Sequence, residues 1–180
     1  MQLRDKIIAG IALLQIPVGY FLLNRPPSLT SLPPPKRLTV TADILLDSNA
    51  NKGYTLVEFG DYQCPPCAAN EPAVEDFRQR HARDVAFRFR HFPLSEIHPL
   101  ARRAAIDAEA SRPSGRFDET HKSLYALHAK LNERSLADLE ARYPVDASCR
   151  ARVEGDERIA RLAKVTATPT FMLCCPDGTV

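Results

Sequence analysis

Hydrophobic and polar positions along the chain fall into three regimes. The first is "IIAGIALLQIPVGYFLL", Ile7 to Leu23, an uncharged stretch behind the short charged lead "MQLRDK". As a helix it is about 26 Å long, near the lower limit for crossing a hydrocarbon core once. Its flank, Leu22 to Pro26, lacks the small residues of a processing site, so an uncleaved anchor over residues 1–25 is favoured over a cleaved signal peptide. Arg4 and Lys6 then stay cytoplasmic and everything after residue 25 lies outside the cytosol. The rival for this stretch is a buried core helix, which Gln15 and Pro17 leave open. The second regime, "NRPPSLTSLPPPKR", is proline-dense and reads as a semi-rigid spacer over residues 26–37, extending about 3 Å per residue.

The third regime, residues 38–180, carries the periodicities of a folded domain. "YTLVEFG", Tyr54 to Gly60, is a short apolar, β-branched run bounded by glycines and predicts a strand buried on both faces. "CAANEPAVEDFRQRH" predicts a helix with Ala68, Val74 and Phe77 on its buried side and a kink at Pro72. "VAFRFRHFP", Val85 to Pro93, alternates strictly and predicts a second strand with Val85, Phe87 and Phe89 facing one way. The helix between these strands is a natural crossover, so a parallel strand–helix–strand unit is expected. Helical composition runs from about Ile97 to Ala163, interrupted at "SRPSG" and at Tyr143–Pro144, and predicts three or four helices. "TFMLCC" after Pro169 predicts a last strand, and "PDGT" a turn. The pattern is an α/β domain with a helical insertion over about 97–163.

Length and charge narrow the function. A chain of 180 residues holds one domain with an appendage. Its 24 basic and 22 acidic residues nearly balance, which points away from nucleic acid. Arg88, Arg90, Arg102 and Arg103 read as solvated faces. His91, His98, His121 and His128 are scattered and read as structural or exposed. The five cysteines are Cys64, Cys67, Cys149, Cys174 and Cys175, too few for a disulfide-stapled fold and odd in number.

Cys64 and Cys67 carry the chemistry. Cys64 stands between a buried strand and the first turn of a helix, where unpaired N–H groups and the positive end of the helix dipole favour an anion. A thiolate is that anion, and such sites lower cysteine pKa values. Cys67, one turn on, is in reach to resolve a mixed disulfide on Cys64. Pro65 and Pro66 preset the helical φ where N–H groups go unused. They also remove two donors, so this nucleophile is expected to be less acidic than one followed by donor-bearing residues. Haem attachment needs a histidine where Ala68 stands, and a tetrathiolate zinc site needs a second closely spaced pair that the adjacent Cys174 and Cys175 do not supply. A purely structural disulfide here would close too short a loop to matter. Cys149 with either Cys174 or Cys175 could form a structural bridge worth about 3 kcal/mol; the alternative is three small buried hydrophobes.

"VEFGDYQCPPC…EP", "FRHFPL…HPLARRAA", "RFDETHKSLYALH" and "VTATPTF" together resemble the DsbA-like branch of the thioredoxin superfamily, over roughly residues 50–175. The resemblance implies a thioredoxin-like fold with a helical insertion and a thiol-disulfide oxidoreductase activity that needs no cofactor and no metal. It makes Cys64 the nucleophile and Cys67 its resolving partner. It places Thr168 and Pro169 in a cis-proline loop that faces the cysteine pair and binds an extended substrate segment. It makes Glu58, the one charge within the first strand, a buried proton acceptor for Cys67, as the physics of a desolvated carboxyl allows. Asp118 departs from the family, which commonly has an aromatic residue there. The family also continues past the "PDG" turn into a further strand and helix, so a sheet lacking both, or a truncated product, and low stability are expected.

The function expected is a monomeric, single-pass membrane protein of the cytoplasmic membrane. Its catalytic domain faces the periplasm or cell exterior, acts on cysteine-containing client proteins, and exchanges electrons with a membrane redox partner. The rivals are a reductase serving haem or copper-site maturation, a soft-metal-binding or delivery module using the same two cysteines, and a paralogue that binds extended peptides without turnover.

Overall fold

The computed structural model describes residues 53–180, together with Ile7 and Leu45. The expected anchor and linker, and the start of the domain near Leu38, lie outside the described residues. Among the described residues no helix is long and apolar enough to cross a membrane.

Among the described residues three strands and five α-helices follow the order β1 (Tyr54–Gly60), α1 (Pro65–Arg80), β2 (Val85–His91), α2 (Ala101–Ala110), α3 (Phe117–Leu127), α4 (Glu133–Arg142), α5 (Ala147–Leu162) and β3 (Thr170–Cys174). The strands form one sheet in the order β2-β1-β3. The chain divides into two compact units. One runs through Glu58 and adds Ala69–Arg88 and Phe171–Val180; the other comprises Phe59–Ala68 and Phe89–Thr170.

The first unit is built on strand alternation. Tyr54 and Leu56 of β1, Val85 and Phe87 of β2, and Phe171 and Leu173 of β3 lie two residues apart within each strand and so share a face. They meet Val74 and Phe77 of α1 in one apolar cluster. Glu58 has the same parity as Leu56 and is 1% exposed, a carboxyl buried on the face that α1 covers. Ile7 is helical, fully buried and part of this cluster, which is where the core-helix rival for the first apolar stretch would put it. Pro72 lies inside α1.

In the second unit α2 packs against α3, α4 and α5. Its run of alanines allows this: Ala101, Ala104, Ala105, Ala108 and Ala110 are all buried, and small side chains let neighbouring helices approach from several sides. Ends are set by side chains. Asn132 and Ser135 form a reciprocal capping box at the start of α4, and Asp146 accepts from Ser148 and Cys149 N–H at the start of α5. Asp118 is exposed in the first turn of α3, where negative charge is favoured, so this position does not call for the family's aromatic residue. Gly60 is required by contact: a Cβ there would stand 2.4 Å from the Phe89 ring and 2.5 Å from the Tyr125 hydroxyl.

Two expectations need correction. The insertion's helix begins at Ala101 and not near Ile97; Leu94 to Leu100 forms turns, with Ile97 and His98 N–H both directed at the Leu94 carbonyl. Pro99 disfavours helical geometry at His98 and stops an earlier start. Arg90 is not on a solvated face. It is 6% exposed and donates to Asp156 at 2.5 Å, while Asp156 also accepts from His91 N–H at 3.0 Å. Val85, Phe87 and Phe89 lie two residues apart and so share a face of β2, but they enter different clusters: Phe87 joins the first unit's cluster, whereas Phe89 packs against the second unit's cluster, which includes Tyr62 and Tyr125.

Candidate active site

The loop from Gly60 to Cys64 is held before the helix begins. Phe92 N–H donates to the Gly60 carbonyl at 2.8 Å and Cys64 N–H to the Asp61 carbonyl at 3.1 Å. Helix α1 starts at Pro65, its first intrahelical bond running from Ala68 N–H to the Cys64 carbonyl at 3.2 Å. Pro65 and Pro66 occupy the first two helical positions, where a missing N–H costs nothing. Cys64 therefore stands at the mouth of the helix. It retains 4% exposure and Cys67 none, so of the two only Cys64 offers any surface to an incoming sulfur.

As a thiol, Cys64 donates to the Thr168 carbonyl at 3.3 Å, and the peptide bond between Thr168 and Pro169 is cis. The structure thus brings Cys64, Cys67 and Thr168 together. The Cys67 thiol, directed at the Cys64 sulfur, draws Cys64 down from the ordinary 9.0 to about 6 against the opposing effect of burial; the Thr168 hydroxyl and Cys67 N–H add to the lowering, and the Asp61 charge works against it. That hydroxyl is buried and meets no partner at hydrogen-bonding geometry among the described residues. The donors lost at Pro65 and Pro66 are replaced from Cys67 and Thr168, so the expected weakening of acidity is made up by groups that sequence spacing does not reveal. Among the described residues no group of three or more His, Cys, Asp or Glu is arranged to hold a metal ion. Cys149, Cys174 and Cys175 are in the thiol form, with Cys149 donating to Asp146 at 3.2 Å.

Sequence reasoning missed the residues that hold this loop. Asp61 is 2% exposed and accepts from Gln63 N–H at 2.7 Å, Leu94 N–H at 2.8 Å and His98 Nδ1 at 2.8 Å. Gln63 Oε1 accepts from Leu100 N–H at 2.6 Å. Tyr62 hydroxyl meets His121 Nδ1 at 2.9 Å within a box of rings that includes Phe89, His91 and Tyr125. The available signal was a carboxylate three residues before the nucleophile in a turn, a position that otherwise reads as solvated.

The family model described as thioredoxin matches residues 47–174. The chain belongs to the thioredoxin family. Among solved members with a similar fold are reduced DsbA1 from Neisseria meningitidis, with a TM-score of 0.58, 19% identity and 79% of each chain covered. The thiol-disulfide exchange protein alpha-DsbA2 from Wolbachia pipientis gives a TM-score of 0.60 at 16% identity, covering 96% of this chain and 88% of that one. BdbD from Bacillus subtilis in its oxidised form gives 0.56 at 22%, covering 75% and 82%. The fold is therefore that of DsbA-like thioredoxin-family proteins with a helical insertion. Curated relatives are of another kind: Na(+)/H(+) antiporter NhaA 3 of Salinispora tropica is 35% identical over 129 residues, 66% of this chain but 20% of that protein. The antiporter NhaA of Nitrosospira multiformis is 32% identical over 154 residues, 78% of this chain and 24% of that protein. The chain spans about a fifth to a quarter of the length of these relatives.

Proposed function

We propose that this thioredoxin-family chain is a thiol-disulfide oxidoreductase that oxidises cysteines of client proteins. The observation that carries the reading is the placement of the Cys64 sulfur at the mouth of α1, served by the Cys67 thiol and lying 3.3 Å from the Thr168 carbonyl. In the oxidised form, a client thiolate attacks Cys64, its sulfur bonds to Cys64, and the Cys64–Cys67 bond breaks with Cys67 leaving as a thiolate. A second client thiolate attacks the client sulfur of this mixed disulfide and expels Cys64 as a thiolate. Two electrons pass from the client, which gains a disulfide, to the pair, which becomes a dithiol. A leaving sulfur of low pKa departs faster, and a stabilised thiolate favours the reduced pair. Both effects favour oxidation of the client over reduction.

Thr168 and Pro169, beside the sulfur, supply backbone against which an extended client segment can pair. Glu58 is assigned the proton exchange of Cys67, on the strength of its burial on the α1 face of β1. Replacing it by Gln is expected to slow the step in which Cys67 leaves and the mixed disulfide forms, and to leave its resolution by the second client thiolate unchanged.

The central test is Cys67→Ala: the Cys64 thiolate should attack a client disulfide, expel one client sulfur as a thiolate and keep the other in a mixed disulfide that accumulates for want of a resolving thiol and is identifiable by mass spectrometry. Thiolate absorbance of the reduced domain should be lost on acidification with a midpoint of about 6. A midpoint in the range of free cysteine, with no trapped adduct, overturns the reading. A reduction potential near that of cytosolic thioredoxin would instead support the reductase that serves haem or copper sites. Stoichiometric copper or zinc bound through the pair would support metal delivery.

For location, the uncharged stretch from Ile7 to Leu23 and its proline-rich sequel support a domain tethered to the cytoplasmic membrane on its outer side, where a membrane partner reoxidises the pair. The occurrence of similar segments within proteins named as antiporters supports work beside a membrane. The burial of Ile7 in the first unit's cluster favours a second reading, in which that stretch packs on its own domain. Sedimentation with membranes after a carbonate wash supports the tether, and release into the supernatant supports the second reading.

A further inference from the structure

We propose that Asp61 and His98 form a charge-balanced pair that positions the loop carrying Cys64 and sets how much negative charge its sulfur feels. The proposal rests on the oxidoreductase reading and adds two positioning residues to it. Asp61 is the fastening point of the loop. Its backbone carbonyl receives the Cys64 N–H at 3.1 Å. One carboxylate oxygen receives Gln63 N–H, and the other receives both Leu94 N–H and His98 Nδ1 at 2.8 Å each. The carboxylate thereby ties the turn before the nucleophile to the segment that leads into α2, and the bond from Leu100 N–H to Gln63 Oε1 repeats the tie one residue pair further on.

The side chain of Asp61 is 0% exposed and that of His98 is 17% exposed. A buried carboxylate needs hydrogen bonds or a counter-charge, and among the described residues that bond to Asp61 only His98 is able to carry one. The negative charge of Asp61 opposes ionisation of Cys64. Protonated His98 offsets that charge, whereas neutral His98 donates the same hydrogen bond without offsetting it. Among the described residues the titratable groups around the loop are few. Cys67 on α1 faces the sulfur directly, Asp61 lies on the loop, and His98 comes from the segment before α2. Through Tyr62 the loop meets His121 of α3 and the ring of His91, the latter joined to Glu109 of α2 at 2.9 Å.

The test reads the Cys64 thiolate by its ultraviolet absorbance in the reduced protein, wild type and variants, with thermal melts to confirm folding. Asp61→Asn removes the opposing charge and should lower the Cys64 midpoint by roughly one unit. His98→Asn keeps an amide donor where Nδ1 stands but removes the cation, and should raise the midpoint by about half a unit. Loss of loop order alone would move both variants in the same direction. Opposite shifts support the proposal; shifts of like sign, or none in either variant, overturn it. Should Asp61→Asn fail to fold, His98→Asn decides alone, a rise supporting the pair and a fall or no change overturning it. A wild-type midpoint at the free-cysteine value counts against the oxidoreductase reading and leaves the variant comparison to judge the pair separately.

Discussion

The two units of this chain stabilise their interiors by different means. The first gathers Leu56, Val74, Phe77, Val85 and Phe171 into an apolar cluster, in which burial of hydrocarbon is the driving force. The second buries charged and polar side chains against specific partners: Arg90 with Asp156, His91 with Glu109, which Arg112 also reaches from the surface, His98 with Asp61, and Tyr62 with His121. Burial alone would push Glu109 up, but Arg112 and His91 hold it down at about 2. Apolar packing tolerates repacking, while a half-satisfied polar pair does not. The unit that carries the cysteine pair is thus the one whose interior depends on specific partners. This suits a site in which a sulfur and its neighbours must keep fixed positions.

The contrast predicts a ranking of substitutions. The largest loss is expected for Asp156→Ala, which strands Arg90 and the His91 N–H in the second unit and should cost about 3–5 kcal/mol, read from denaturant midpoints. Leu56→Ala in the first unit should cost about 2–5 kcal/mol and be partly recovered by Leu56→Met, a repacking route that no single replacement at Asp156 offers. A Leu56→Ala loss well above that of Asp156→Ala would break the comparison. Asn132→Ala removes the capping box of α4 and should cost about 1 kcal/mol, measurable as a lower melting temperature.

Asp107→Asn is the smallest effect and has the opposite sign. Burial pushes Asp107 up from 3.8 to about 6, only partly offset by Arg103, whose Nε lies 3.8 Å from Oδ2. The folded chain therefore binds a proton that the unfolded chain releases between these values, and stability falls as pH rises through that window. Asn removes this penalty, so the variant should gain about 1 kcal/mol above pH 6, discounted for screening by water and Arg103. At pH 4 and below the gain should vanish. Melting curves at pH 4 and pH 7 check both sign and window.

The first unit and the cysteine pair were legible for the same reason. Strand alternation at Tyr54–Leu56, Val85–Phe87 and Phe171–Leu173 and the C-P-P-C spacing are local patterns, each contained in a few consecutive residues. The second unit's interior was not legible in this way. Arg90 and Asp156 are 66 residues apart, Tyr62 and His121 are 59 apart, and Asp61 and His98 are 37 apart. Each of these side chains alone looks like surface. Asp61 illustrates the point, since it lies inside the most informative motif of the chain and still reads as a solvated turn residue until Leu94 and His98 arrive.

By itself, the sequence determined that two cysteines would stand at the start of a helix that follows a buried strand, because strand period, glycine boundaries and paired prolines all act locally. Only the tertiary structure decided what surrounds those sulfurs: Thr168, brought from more than a hundred residues away, and Asp61 with its partner His98. The acidity of Cys64 depends on charges and donors within a few ångströms, and which groups come that close is a property of the folded chain.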